Sequence, residues 1–223
     1  MDAELEYWKV WAGMRDRPKE MKPIVYGREW SDVNRLAIYI PDATYDSGDN
    51  WEADSENFRK GLEGEYGQKF EYDDIGAGAS WPAFMTFLET NPIIIGALGV
   101  FFGGAKIQSS LASWQKTFQA IVRFAKHKPL LSKEAAAILA IAKVTETLGG
   151  LPRSFVLNGF RTTHYFDRID SSNLDDVTIE GIQELPTSLG MDGVVYWFEI
   201  ESEGKAFRIS VDRVKVCIKE LDI

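Results

Sequence analysis

Apolar residues are densest in residues 91–128. The stretch opens with the run Pro92-Ile93-Ile94-Ile95-Gly96-Ala97-Leu98-Gly99-Val100-Phe101-Phe102-Gly103-Gly104. From there Val100, Gly104, Ile107, Leu111, Trp114, Phe118, Ile121 and Ala125 recur in steps of four and three. Lys106, Gln108, Ser109, Gln115, Lys116, Gln119, Arg123 and Lys126 fall mostly off that seam. The period predicts one long amphipathic helix on which shorter elements pack. Pro129 breaks it, Ser132 supplies a cap, and an Ala-rich pattern predicts a second helix over 133–148. Its inward positions are Ile138, Leu139, Ala142, Thr145 and Leu148, and Gly149-Gly150 ends it. Two such helices joined by a short break form a hairpin.

Patterning on either side is shorter in period. Leu5, Trp8 and Trp11 or Ala12 predict a short amphipathic helix over 3–14, and Ile24-Val25-Tyr26 a short strand. Leu36-Ala37-Ile38-Tyr39-Ile40 predicts a strand stopped by Pro41. An acidic loop, 42–54, leads to a helix capped by Asp54 or Ser55, with Phe58, Leu62 and Tyr66 on its apolar face and Gly67 as its stop. Residues 69–75 read as a further strand, so 36–75 fits one βαβ unit. Residues 76–81 then lead into the helical middle. Beyond residue 150 the reading is β-rich, with strands over 154–158, 163–166 and 177–182. The clearest hairpin joins 194–200 to 206–211 through the polar turn Glu201-Ser202-Glu203-Gly204-Lys205. The alternation then slips by one residue at Asp212-Arg213 before Val214, Val216 and Ile218, which predicts a bulge or tight turn.

Taken together these elements predict an α+β fold in which a central α-helical hairpin packs with β elements from the N-terminal and C-terminal thirds. The segments are 1–80 (mixed α/β, acidic), 81–150 (helical hairpin) and 151–223 (antiparallel β), in one or two compact domains.

Charge sharpens that division. The chain carries a formal net charge of −9. Residues 1–80 hold 10 basic and 18 acidic side chains, residues 81–150 hold 7 and 3, and residues 151–223 hold 8 and 13. A basic helical segment thus lies between two acidic ones, either as complementary layers or as acidic faces that meet a basic partner. Binding to nucleic acid is not expected, because phosphate contacts need clustered Lys and Arg. Cys217 is the single cysteine, which excludes an intramolecular disulfide and a multi-cysteine zinc site. The acidic start Met1-Asp2-Ala3-Glu4-Leu5-Glu6 lacks the basic-then-apolar order of a secretory signal, so the expected compartment is cytoplasmic.

Few residues carry recognisable chemistry. Gly76-Ala77-Gly78 is followed by Trp81 where a dinucleotide loop needs a small residue, and no P-loop Gly-Lys-Ser/Thr follows. His127 and His164 are the only histidines, and no Gly-x-Ser-x-Gly motif accompanies them. Cys217 alternates with Val216 and Ile218 and is expected on the opposite strand face. The acidic loop is the main candidate. Asp42, Asp46, Asp49, Glu52 and Asp54 cluster beyond a strand end, and Trp51 sits among them. Carboxylates in that density suit a hard cation, but the spacing is not that of an EF-hand. An aromatic on an acidic loop suits a protein anchor. The expectation is therefore a non-enzymatic protein-binding protein, of the kind that neutralises a basic partner, with Asp42, Asp46, Asp49, Trp51 and Glu52 as contacts and no cofactor or metal. Two alternatives stand beside it. Residues 92–105 are free of charge and suit membrane insertion or oligomer packing, although a bilayer span needs about 20 apolar residues. A carboxylate-based or metal-dependent hydrolase would need several of Asp42, Asp46, Asp49, Glu52, Asp73 and Asp74 in one pocket.

Overall fold

A computed structural model describes residues 35–42, 50–74, 82–108, 111–164, 169–183 and 194–222. All belong to one compact unit, Ser31–Ile223. The expected helix over 3–14, the strand at 24–26, Asp46, Asp49 and the Gly76-Ala77-Gly78 turn lie outside the described residues.

Strand β1 (Arg35–Pro41), helix α1 (Trp51–Tyr66) and strand β2 (Glu71–Asp74) follow one another as the pattern predicts, and β3 (Pro82–Glu89) comes next. Helix α2 (Pro92–Phe102), strand β4 (Ile107–Gln108), helix α3 (Leu111–Val122), a 3-10 turn (Ala125–His127), strand β5 (Leu130–Leu131) and helix α4 (Lys133–Thr147) make up the middle. Strands β6 (Ser154–His164), β7 (Val194–Ser202), β8 (Lys205–Asp212) and β9 (Lys215–Leu221) complete the order. The fold is α+β, with two antiparallel sheets ordered β2-β3-β1-β5 and β4-β6-β7-β8-β9.

In the first sheet both β1 and β2 pair antiparallel with β3, so β1 and β2 run parallel with β3 between them. The expected βαβ crossover is present in a split form, with α1 as its helix. Strand β3 escapes the periodicity argument because both of its faces are covered. Phe84 and Leu88 enter the main core, while Ala83 and Met85 join Ala37, Tyr39 and Leu130 in a smaller cluster. A strand buried on both faces shows no polar alternation.

The long helix expected over the middle is two helices. Gly103 and Gly104 form a turn, Gly104 at φ 73°, and the chain then pairs Ile107 with Phe155 in the second sheet before α3 begins. Glycine meets the positive φ without a Cβ penalty. Ile107, Trp114 and Ile121 all reach the same core, which is why the apolar seam runs unbroken through a chain that turns. Helices α3 and α4 pack on one another, and α4 also touches strands of both sheets. Ser132 caps α4 as expected, its Oγ accepting from Ala135 N at 3.3 Å. All seven residues from Ala135 to Ile141 are buried. The alanines let the helix lie between layers where larger side chains would not fit. The two sheets are also tied by the Tyr196 hydroxyl of β7, which donates to the Leu131 carbonyl of β5 at 2.7 Å. Burial pushes that phenol well above its ordinary range.

In the second sheet the β7–β8 turn has Glu203 at φ 51° and Gly204 at φ 73°, the two left-handed positions of a two-residue hairpin turn. The slip at Asp212-Arg213 is a tight turn with Arg213 at φ 57°, pairing Asp212 with Lys215. Val216 and Ile218 pack against the main core and Cys217 against the other face, as their alternation requires. Residues 154–164 form one continuous strand with a register shift between Leu157 and Gly159, in place of two separate strands. Residues 177–182 are not a ladder strand. The segment 169–183 instead runs as a strap over the outer face of the sheet, where Leu174 and Val177 cover Val195 and Trp197. Its links to the sheet include the Phe160–Ile182 bridge and the Lys219–Asp175 ion pair at 2.7 Å.

Candidate functional site

Helix α1 starts one turn earlier than its expected caps. Asn50 occupies the cap position, and Glu52 and Asp54 fall in the first turn, where carboxylates complement the helix dipole. Ser55 therefore lies inside the helix. It is buried and donates its hydroxyl to Asp42 at 2.8 Å. Asp42 is itself buried at the end of β1, so this carboxylate fastens α1 to the sheet. At the other end Gly67, at φ 66°, turns the chain toward β2, its N–H bonding Glu63 O. Leu62 is buried, and Phe58 and Tyr66 pack partly buried against the same core.

These anchors leave an open groove between α1 and the edge strand β2. Its volume is about 560 Å³. Phe70, Phe84 and Ser55 form its buried floor. Trp51, Glu52, Glu56 and Arg59 line the helix side, and Glu71 and Tyr72 the strand side. Trp51 is 36% exposed and Tyr72 51% exposed. Tyr72 stands edge-on to Phe84, with ring centroids 6.1 Å apart at 71°. Phe58 lies against Phe84 from within at 5.8 Å.

Among the described residues, Arg59 is the only cation lining the groove, and it is committed to its own helix. It donates Nε and Nη2 to Glu56 at 2.8 and 2.7 Å, and Nη1 to Glu63 at 2.7 Å. Spacings of three and four place these partners on one helix face. The hydrogen bonds from Arg59 hold the Glu56 carboxyl down at about 2, against an ordinary value of 4.5. Because the folded value lies below the unfolded one, the pair stabilises the fold above about pH 4.5 and ceases to as pH falls toward 2. Glu56→Gln is expected to lower the melting temperature slightly near pH 7. The gap from wild type should close by about pH 2, which a pH series of thermal melts reads out.

Of the residues singled out from sequence, Trp51 and Glu52 lie at this groove, Asp42 is buried behind it, and Asp46 and Asp49 lie outside the described residues. Tyr72, Glu71, Glu56 and Arg59 were not anticipated. The signal for Tyr72 was its setting in Glu71-Tyr72-Asp73-Asp74, since dense charge on a short strand marks a sheet edge. Among the described residues, no three His, Cys, Asp or Glu side chains gather in a way that could hold a metal ion. His127 belongs to a different contact, where its Nε2 lies 3.1 Å from Glu65 Oε2 and Lys126 donates to the same carboxylate. Those bonds keep the Glu65 carboxyl below its ordinary range. The chain matches no protein-family model, no curated protein and no solved structure.

Proposed function

We propose that this is a non-enzymatic binding protein whose groove between α1 and β2 engages a basic partner protein. The observation that carries the reading is the pair of exposed aromatic rings, Trp51 and Tyr72, across a groove rimmed by Glu52, Glu56 and Glu71. Tryptophan and tyrosine supply large contact area at little conformational cost and are enriched at interface hot spots. A lysine or arginine entering there lays its stem on the rings and brings its head to the carboxylates. Arg59, the one groove cation among the described residues, is held by Glu56 and Glu63 and offers a cationic partner little opposition. The −8 charge on residues 1–80 attracts such a partner from a distance. Neutralisation of a basic protein, in the manner of small acidic immunity or antitoxin proteins, is the concrete form this takes.

The test is an affinity pull-down from the native host with wild type and the triple variant Trp51→Ala, Glu52→Lys, Tyr72→Ala in parallel, read by mass spectrometry. All three side chains are exposed, so the variant should keep the wild-type circular dichroism spectrum. A basic protein retained by wild type and lost from the variant supports the reading. The loss should be about 100-fold in affinity or more, as for two hot-spot truncations with a charge reversal. Equal recovery of the same proteins by both baits rejects the groove as the binding surface.

A further inference from the structure

Helix α2 has an outward face with no polar side chain. Ile94, Leu98 and Phe101 turn into the core, while Pro92, Ile93, Gly96, Gly99 and Val100 are exposed on the other side, with Gly103 at the end. Ile93 is 69% exposed and Val100 48% exposed. A surface helix of a globular protein ordinarily sets polar residues there. Nor does packing among the described residues call for glycine on this face. A Cβ at Gly96 or Gly99 would meet nothing within 4 Å among the described residues, so both positions forgo helix stability without a steric reason in the described part of the chain.

We infer that this face of α2 is the contact between two copies of the chain, packed helix against antiparallel helix about a two-fold axis. Charge identifies the occupant. A protein of net charge −9 repels its own copy over most of its surface, but residues 90–105 carry no charge. The charges that flank them are of opposite sign, Glu89 before the helix, where it also lies 3.7 Å from Arg35 of β1, and Lys106 after it, and both are exposed. Glu89 precedes Gly96 by seven positions and Lys106 follows Gly99 by seven. When antiparallel copies cross at Gly96 and Gly99, each Glu89 comes to the end of the helix that carries the other copy's Lys106. A parallel arrangement would set like against like. The two-fold is self-complementary, as an isologous interface requires, and the bare glycines let the backbones approach closely at the crossing. A membrane-spanning role is not served by this helix. Among the described residues no helix is long and apolar enough to cross a bilayer.

Sedimentation equilibrium of the full chain, from roughly 1 μM to roughly 500 μM, tests the inference. Wild type should pass from 25.2 kDa to twice that mass. Val100→Glu should weaken the dimer about tenfold or more. Glu89→Lys and Lys106→Glu should each weaken it about threefold, and the double reversal should restore it. Gly96→Ala should raise the melting temperature of the chain at the dilute end while weakening the dimer, a pairing of effects that a purely intramolecular role would not give. Wild type that stays at 25.2 kDa throughout overturns the inference, as does a dimer that Val100→Glu leaves intact. Monomeric wild type that co-sediments with phosphatidylcholine–phosphatidylglycerol vesicles also overturns it, in favour of a lipid contact.

Discussion

Trp197→Ala is expected to cost about 3–5 kcal/mol of unfolding free energy. Trp197 is fully buried, on the face of β7 opposite Tyr196, Phe198 and Ile200. The strap at 169–183 lies over it, with Leu174 and Val177 against the ring's surroundings. Its indole Nε1 donates to Thr163 Oγ1 at 2.8 Å, and Thr163 is buried as well. Truncation thus removes a large apolar surface, opens a cavity and takes away the partner of a buried hydroxyl. Against a typical total of about 5–15 kcal/mol, that is a large share. Urea denaturation followed by far-ultraviolet circular dichroism should show a lower midpoint at unchanged slope. Trp197→Phe keeps a ring and loses the hydrogen bond, and should cost less. Cys217 packs against the same cluster and is the single cysteine, so its rate of reaction with an aromatic disulfide reagent reports the strap directly. That rate should rise in Trp197→Ala. A loss of unfolding free energy below about 1 kcal/mol would mean that the strap collapses onto the vacated space.

That outer layer was hard to read from sequence. Thr178 and Glu180 alternate with Val177 and Ile179, which is the pattern of a strand with one face covered. The segment does have one covered face. It acquires it by lying across a sheet instead of pairing within one, and period two does not distinguish these. The same confusion runs through the middle of the chain. Spacing recorded correctly that Ile107, Trp114 and Ile121 meet one core, but not that the chain reverses between α2 and α3. The marker was the Gly103-Gly104 pair, which stood inside the seam. Where a local chemical rule decides the outcome, legibility was high. Ser132 caps α4, Gly67 ends α1, Glu203-Gly204 turns β7 into β8, and Cys217 faces away from Val216 and Ile218.

The candidate site divides in the same way. Its helix side, Trp51 and Glu52, came from one contiguous acidic stretch. Its strand side, Tyr72 and Glu71, is brought there by the turn at Gly67 and by the insertion of β3 between the parallel strands, which leaves β2 at the edge. No local pattern encodes an edge created by a later strand. Asp42 illustrates the converse. Loop composition made it a candidate contact, but Ser55 fell inside α1 and took its carboxylate as a fastening.

The strap also predicts a steric coupling. Gly159 sits in β6 at the register shift, opposite Glu199. A Cβ there would come within 2.6 Å of Ile179 Cγ2 and 3.3 Å of Glu199 Oε2. Glu199 accepts from Arg208 at 2.6 and 3.0 Å, and Arg208 Nη1 donates to the strap's Leu174 carbonyl at 3.1 Å. One added methyl therefore presses on both the apolar and the polar attachment of the strap. Gly159→Ala is expected to cost about 1–3 kcal/mol, the range for an overpacked site. Hydrogen exchange should quicken across 171–183 while α4 stays protected, because the strain falls on the strap and not on the helical core. Ile179→Ala removes the offending methyl. It should cost stability alone and yet relieve Gly159→Ala, so that the double variant is more stable than the sum of the single losses by about 0.5 kcal/mol or more. Strict additivity would mean that the strap shifts aside without contest, and that its hold on the sheet comes from Lys219–Asp175 and the Phe160–Ile182 bridge instead.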